Sequence, residues 1–133
     1  MTIPNDGPTI DVAVTIDDAI PGQEPKPGQL QTRDRKYNYS FDPDRVHVTS
    51  ANTKIVYSLN DSGKDKRFEM SDIFTTDARD QITGVKRTDK NNSIEMYHAN
   101  TVKQLTVVLV VVKDRKNPQT IGLDPQVTND PTP

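Results

Sequence analysis

Residues 105–112 read LTVVLVVV and contain the longest apolar run of the chain, 107–112, and this stretch decides the fold. Five of its eight residues are valine, whose branched side chain is stiff and packs well on a pleated surface. The run is far too short to cross a bilayer as a helix. We therefore predict a β-strand here, as part of a longer strand from Lys103 to Lys113.

Both faces of this strand are apolar, although strands of an antiparallel sheet with one solvent-exposed face alternate apolar and polar residues. One face carries Leu105, Val107, Leu109 and Val111, and the other carries Thr106, Val108, Val110 and Val112. A bare β-branched surface promotes aggregation, so we expect the second face, that of Val110, to be covered. A loop or tail of the same chain could cover it, or a second copy across a two-fold axis. Of the two, we expect self-association as a homodimer.

The composition of the whole chain also favours strands. Val and Ile together number 22 and Thr 15, whereas Leu and Ala together number 10. The 16 Asp against 3 Glu indicate turns and caps rather than helices. Apolar residues alternate in short segments that start near Ile10, Tyr37, Val46, Ile55 and Ile94, with turn signals roughly every 8–12 residues. We predict an all-β fold, an antiparallel β-sandwich of seven or eight strands.

The length of 133 residues predicts one β-sandwich domain over residues 1–133. Residues 17–34 contain the run PGQEPKPG and are predicted to be a proline-rich crossing loop, which passes from one sheet to the other or lies along the surface. Residues 117–133 hold four of the ten prolines and are predicted to be an extended tail. Residues 71–80 are the best place for a helical turn, and Gly84 suggests a bulge.

Charge and sequence signals exclude several partners and compartments. The net charge is −2, and the two basic clusters, 64–67 and 113–116, are each interrupted by Asp. We interpret them as solvated strand ends and predict no nucleic-acid partner. No apolar run reaches transmembrane length, and the first eight residues do not resemble a signal peptide. We therefore expect no membrane partner and a cytoplasmic location.

Catalytic and metal-binding patterns are missing from the sequence. There is no Cys, no Gly-x-Ser-x-Gly elbow and no glycine-rich phosphate loop, and the only histidines are His47 and His98. Residues 41–57 look like the opening of a cupredoxin, but blue copper needs a thiolate beside its histidines. We predict no catalytic residue, no cofactor and no bound transition metal. Calcium is the alternative metal, and the loop from Asn60 to Asp65 comes nearest to a site for it.

Several short stretches resemble a known family. They are Phe41-Asp-Pro43, the strand Ile55-Val-Tyr-Ser-Leu59, Phe68 after a turn, and the closing segment Leu123-Asp-Pro-Gln-Val-Thr-Asn-Asp-Pro131. Together they resemble the DP-EP family of small bacterial proteins, over roughly residues 41–131. This resemblance implies an immunoglobulin-like or cupredoxin-like sandwich and supplies no function. The tail and strand order are also similar to the bacterial inclusion-body protein family, which implies self-assembly.

These observations favour a protein that is not an enzyme. We expect a non-catalytic protein-interaction or self-assembly module, because of the doubly apolar strand. The alternative is a small module that binds sugar or calcium, because Asp-rich turns would cluster at one end of a sandwich.

Overall fold

Period-two alternation places one apolar row of each main strand in a shared core between two β-sheets. The structure, a computed structural model, describes residues 7–60, 67–76, 82–87, 93–100, 105–117, 119–124 and 126–129. These residues form eleven strands and no helix. The strands are β1 (Thr9–Asp18), β2 (Leu30–Gln31), β3 (Tyr37–Asp42), β4 (Arg45–Val48), β5 (Thr53–Leu59), β6 (Phe68–Thr76), β7 (Ile82–Arg87), β8 (Ser93–His98), β9 (Leu105–Asp114), β10 (Gln119–Leu123) and β11 (Gln126–Asn129).

The first sheet has the strand order β2-β3-β1-β5-β8-β7. The second sheet is built around β9, with β6 along one edge, β10 and β11 in sequence along the other, and β4 beyond β11. Strands β10 and β11 pair with β9 in one continuous antiparallel register, since Leu123 pairs with Val110 and Gln126 pairs with Val107. All pairs are antiparallel except β1 with β5 and β4 with β11. The predicted antiparallel β-sandwich is confirmed.

The core lies between the sheets and takes alternate residues from each strand. Val12 and Val14 of β1, Ile55 and Tyr57 of β5, and Met70 of β6 are essentially fully buried. The three aromatic residues of β3 face inward with them, and the rings of Tyr39 and Phe41 pack edge to face at 5.8 Å. The described residues thus share one apolar cluster, to which β9 contributes Val108, Val110 and Val112.

The position of Val110 corrects one expectation. The face that carries Val110 needs no second copy to cover it, because it packs against the first sheet as part of the core. The outward row of β9 is the other one, with Leu109 partly exposed and Val111 buried but outside the core cluster.

The helical turn predicted within residues 71–80 is a second expectation to correct, since residues 71–76 form strand; residues 77–80 lie outside the described ranges. Residues 71–76 belong to β6, which pairs with β9 from Phe68 to Thr76 with a shift of register between Met70 and Asp72. A long ladder of backbone hydrogen bonds outweighs the weak local preference for a cap at Ser71 or Asp72. The bulge predicted at Gly84 is confirmed by a shift of register between Ile82 and Gly84.

Of the two alternatives for the loop, the crossing between sheets is wrong, and both the loop and the tail contain strands that the sequence did not predict. Strands β1 and β3 are antiparallel neighbours in one sheet, so residues 17–34 do not cross between sheets. Asp17 and Asp18 belong to β1, and residues 30–31 add the short edge strand β2. Within the predicted tail of residues 117–133, β10 and β11 complete the second sheet. These short strands bring the number to eleven, above the predicted seven or eight.

Ile73 and Phe74 test the strand assignment of β6, because the two neighbours face opposite ways. Ile73 is 6% exposed and lies in the core, whereas Phe74 is 58% exposed. We expect Ile73→Ala to lower the free energy of unfolding by about 2–5 kcal/mol. We expect Phe74→Ala, the matched control, to change it by less than about 0.5 kcal/mol. Urea unfolding measures both, and equal losses would contradict the assignment.

Candidate functional site

A cluster of polar side chains closes one end of the sandwich. We call it the Arg67 cluster, and it consists of Asp18, Tyr37, Arg67, Asp114 and Gln119. Asp18 and Tyr37 come from the first sheet, at the end of β1 and the start of β3. The other three come from the second sheet, where Arg67 precedes β6, Asp114 ends β9 and Gln119 begins β10. The cluster therefore joins the two sheets.

Asp114 is the fully buried centre of this cluster. Arg67 donates to it from Nε at 2.9 Å and from Nη2 at 2.9 Å, one bond to each carboxylate oxygen. The hydroxyl of Tyr37 donates to Oδ2 at 2.5 Å, and the backbone N–H of Lys116 donates to Oδ1 at 3.0 Å. Four donors thus replace the water that a buried carboxylate loses.

Arg67 uses its remaining donors on a second carboxylate. Its Nη1 and Nη2 donate to the two oxygens of Asp18 at 2.8 and 2.9 Å, a bidentate geometry that only a guanidinium offers. The guanidinium also lies 4.8 Å from the centroid of the Phe68 ring, a cation–π distance. Gln119 completes the cluster by donating from Nε2 to the Tyr37 hydroxyl at 2.5 Å.

These contacts set the protonation of the cluster. Burial by itself would raise the pKa of Asp114, but the hydrogen bonds from Arg67 and Tyr37 outweigh it and hold the pKa well below its ordinary value of 3.8. The bonds from Arg67 also lower the pKa of Asp18. Burial, and then the bond to Asp114, raises the pKa of Tyr37. At neutral pH both carboxylates are ionised and bonded to Arg67, so the cluster holds no free acid or base and acts as a structural clamp.

An open cavity of about 690 Å³ borders the Arg67 cluster. Asp18, Tyr37 and Gln119 of the cluster line it. Arg35 and Lys36, from the turn before β3, and Asn117, from the turn after β9, also line it. The lining therefore holds two cations, two amides and a carboxylate that is already bonded to arginine.

The two histidines lie in different sheets. His47 is exposed on β4, as its place on the polar face of that strand predicts. His98 ends β8 and is fully buried. Its Nδ1 accepts the backbone N–H of Asn100 at 3.0 Å. Thr53 is buried nearby on the neighbouring strand β5, opposite His98 in the ladder.

No group of three or more His, Asp or Glu side chains is placed to hold a metal ion among the residues that the structure describes. The loop from Asn60 to Asp65, the nearest match to a calcium site, lies outside them except for Asn60. In the same described ranges there is no helix both long and apolar enough to span a bilayer.

The outward surface of the second sheet is the other candidate region. We call it the outer face, and its members are Glu69, Asp72 and Phe74 of β6 and Leu109, Val111 and Lys113 of β9. Phe74 is one of the most exposed large apolar side chains in the described part of the chain. Leu109 lies over Gly122, where a Cβ would come within 3.0 Å of its Cδ1. An aromatic side chain exposed beside a partly exposed leucine suits an interaction surface.

The Arg67 cluster was missed at the level of sequence, because Arg67 and Asp114 belong to the two basic clusters interpreted as solvated strand ends. The cluster could have been found from the alternation of inward and outward side chains along each strand. Asp114 continues the inward row of Val108, Val110 and Val112, and Asp18 continues the inward row of β1. A charged residue on an inward position needs an opposite charge, and Arg67 supplies it.

The family to which the chain belongs follows from comparison with known proteins. The model of the DP-EP family matches residues 8–131, nearly the whole chain. The chain is therefore a member of the DP-EP family, and the resemblance seen in its sequence is confirmed. No curated protein matches it significantly.

Stability at acid pH tests the clamp. Because the pKa of Asp114 is depressed in the folded state, its carboxylate contributes stability that is present above the unfolded value and lost as the pH falls below about 4. We expect Asp114→Asn to cost about 3–5 kcal/mol at pH 7, since Arg67 loses its buried partner. Asp18→Asn, whose side chain is 58% exposed, should cost about 1 kcal/mol or less. Urea unfolding between pH 2 and 7 measures both, and an Asp114→Asn variant with the wild-type pH dependence would exclude the role of this carboxylate.

Two buried tyrosines allow a matched test of the hydrogen bond that the Tyr37 hydroxyl donates to Asp114. Tyr37→Phe removes a donor to an ionised carboxylate and should cost about 1.5–3 kcal/mol. Tyr57 is fully buried, and its hydroxyl has no hydrogen-bond partner among the described residues. Tyr57→Phe should therefore leave stability unchanged or raise it. Thermal unfolding compares the pair, and the opposite order would refute the assignment of these hydroxyls.

Proposed function

We propose that this member of the DP-EP family is a non-catalytic self-association module whose copies pair through the outer face. The observation that carries the proposal is Phe74, a large apolar side chain with 58% of its surface exposed and in register with Leu109. Aromatic anchors of this kind carry much of the binding energy at protein interfaces.

The occupant that suits this face best is a second copy of the same chain. Phe74 pairs with Leu109 across the ladder, and Glu69 pairs with Lys113. A two-fold axis that runs between β6 and β9, parallel to the strands, would set each residue against its cross-strand neighbour in the partner. Phe74 would then contact the partner's Leu109, and Glu69 would face the partner's Lys113.

This arrangement brings together the apolar pair Phe74 and Leu109 and the charged pair Glu69 and Lys113, and it sets Asp72 against the partner's Val111. Two apolar contacts would be related by the axis, as a closed two-fold interface requires. Two Glu–Lys pairs would flank them at one end, where opposite charges favour this pairing over others. The apolar area is small, so we expect a weak, concentration-dependent dimer rather than an obligate one.

The finer features predicted from sequence stay proposals. An immunoglobulin-like or cupredoxin-like type is compatible with the two-sheet arrangement. A bacterial source and a cytoplasmic location rest on the family resemblance and on sequence signals alone. Calcium binding, part of the alternative function, also stays a prediction.

Light scattering on wild type and on Phe74→Lys tests the dimer. We expect the wild type to approach twice the monomer mass as concentration rises, because Phe74 contacts the partner's Leu109. Phe74→Lys should stay monomeric and folded, since the position is exposed in the monomer. Val85→Lys is the matched control, because Val85 is 41% exposed on β7, in the other sheet, and should not affect the mass. A wild type that remains monomeric up to about 1 mM would exclude a useful affinity.

The absence of cysteine from the chain permits a direct test of the two-fold geometry. A mixture of the variants Phe74→Cys and Leu109→Cys should form disulfide-linked heterodimers on mild oxidation, since the axis brings these positions together. A mixture of Phe74→Cys and Val85→Cys should cross-link much more slowly. Equal rates in the two mixtures would mean that the copies do not meet in this arrangement.

A further inference from the structure

The cavity beside the Arg67 cluster is framed by two turns, each held by an aspartate. In the first turn, Asp34 accepts the hydroxyl of Thr32 at 2.6 Å and the backbone N–H of Lys36 at 2.9 Å. The Thr32 hydroxyl oxygen in turn accepts the backbone N–H of Tyr37 at 3.2 Å. This network fixes the backbone that carries Arg35 and Lys36 to the cavity.

The second turn follows β9 and depends on the buried carboxylate of the clamp. Asp114 accepts the backbone N–H of Lys116 at 3.0 Å, and the next strand begins at Gln119. Asn117 and Gln119 line the cavity together with the cations. The cavity is thus assembled from both sheets, and its walls are positioned before any ligand arrives.

The charges around the cavity favour an anion. Arg35 and Lys36 form no ion pair with any residue in the described ranges. The one carboxylate in the lining, Asp18, has both oxygens bonded to Arg67. Asp34 lines a neighbouring cavity of about 470 Å³ and not this one. A negative group in the cavity would therefore meet Arg35 and Lys36, of which Lys36 also interacts electrostatically with Asp34 in the same turn.

The backbone at Arg35 adds to this interpretation. Its φ of +62° lies in the left-handed region, which costs a residue with a long side chain more than it costs Gly or Asn. The loop of the β2–β3 hairpin holds Arg35 in this conformation, where it lines the cavity.

From these features we propose that the cavity binds a small organic anion that also carries hydroxyl groups, the chemistry shared by uronic acids and sugar phosphates. Arg35 and Lys36 would bind the acidic group. The amides of Asn117 and Gln119 would exchange hydrogen bonds with the hydroxyls, since an amide offers both a donor and an acceptor. A cavity of this volume admits one or two sugar rings. The site lies apart from the outer face and does not depend on the dimer.

Thermal unfolding with glucuronate, glucose 6-phosphate, glucose and inorganic phosphate, at one ionic strength, tests the proposal and separates the two sources of anion. A ligand of the folded state raises the melting temperature, so we expect a rise with glucuronate or glucose 6-phosphate that exceeds the rise with glucose. The larger of the two rises identifies the acidic group. An equal rise with glucose, or none with either acid, would overturn the proposal. An equal rise with inorganic phosphate and glucose 6-phosphate would overturn the role of the amides.

Calorimetric titration of variants assigns the effect to the cavity. Arg35→Asn removes the cation at a position whose left-handed backbone Asn tolerates, so the fold is retained. We expect the dissociation constant for the preferred acid to rise about tenfold, because a charge-assisted bond is lost. Arg33→Gln is the matched control, since it removes a cation from the same turn that does not line this cavity. Equal weakening in both variants would show attraction by net charge and refute a specific site.

Discussion

The guanidinium of Arg67 is the interaction on which the rest of this structure depends. It binds Asp18 at the end of one sheet and Asp114 at the end of the other, with four hydrogen bonds between 2.8 and 2.9 Å. A buried carboxylate such as Asp114 would be strongly unfavourable alone, and a buried ion pair often gives little net stability over an apolar replacement. The main effect of this ion pair is to position the ends of the strands. The clamp fixes where β9 ends relative to β3, and the same carboxylate shapes the turn that forms one wall of the cavity.

The fold could be predicted from sequence wherever a strand keeps strict alternation. Strands β1, β3, β4 and β5 bury the rows that their sequences predict. The prediction failed at β6 because the bulge between Met70 and Asp72 changes the parity of the strand. The inward residues Met70 and Ile73 are consequently three positions apart, a spacing that also occurs on one face of a helix. Strands β2, β10 and β11 are short and lie beside proline or glycine, so only their partners in the sheets define them.

The candidate sites show a different limit. The sequence identifies β9 as apolar on both faces, but alternation alone does not say which face turns inward. The packing of the two sheets decides it, because the row of Val110 contacts the apolar residues of the first sheet. The alternation along β1 and β9 places Asp18 and Asp114 in inward rows, so the two carboxylates of the clamp could have been predicted. Their partner Arg67 could not, because it lies 47 residues before Asp114 and only the fold brings the two together. The cavity could not be predicted, because its two turns come from separate parts of the chain.

The parallel pairing of β4 with β11 has a consequence for how the protein is made. Val46 pairs with Val127, which follows it by 81 positions in the chain. At synthesis rates of about 5–20 residues per second, β4 leaves the ribosome roughly 4–16 s before its partner exists. The central strand β9 and the clamp residue Asp114 also come late. The nascent chain therefore presents the apolar side chains of β4, β5 and β6 before the second sheet can close over them. We expect this interval, rather than the finished fold, to be when the protein most needs the cell's chaperones.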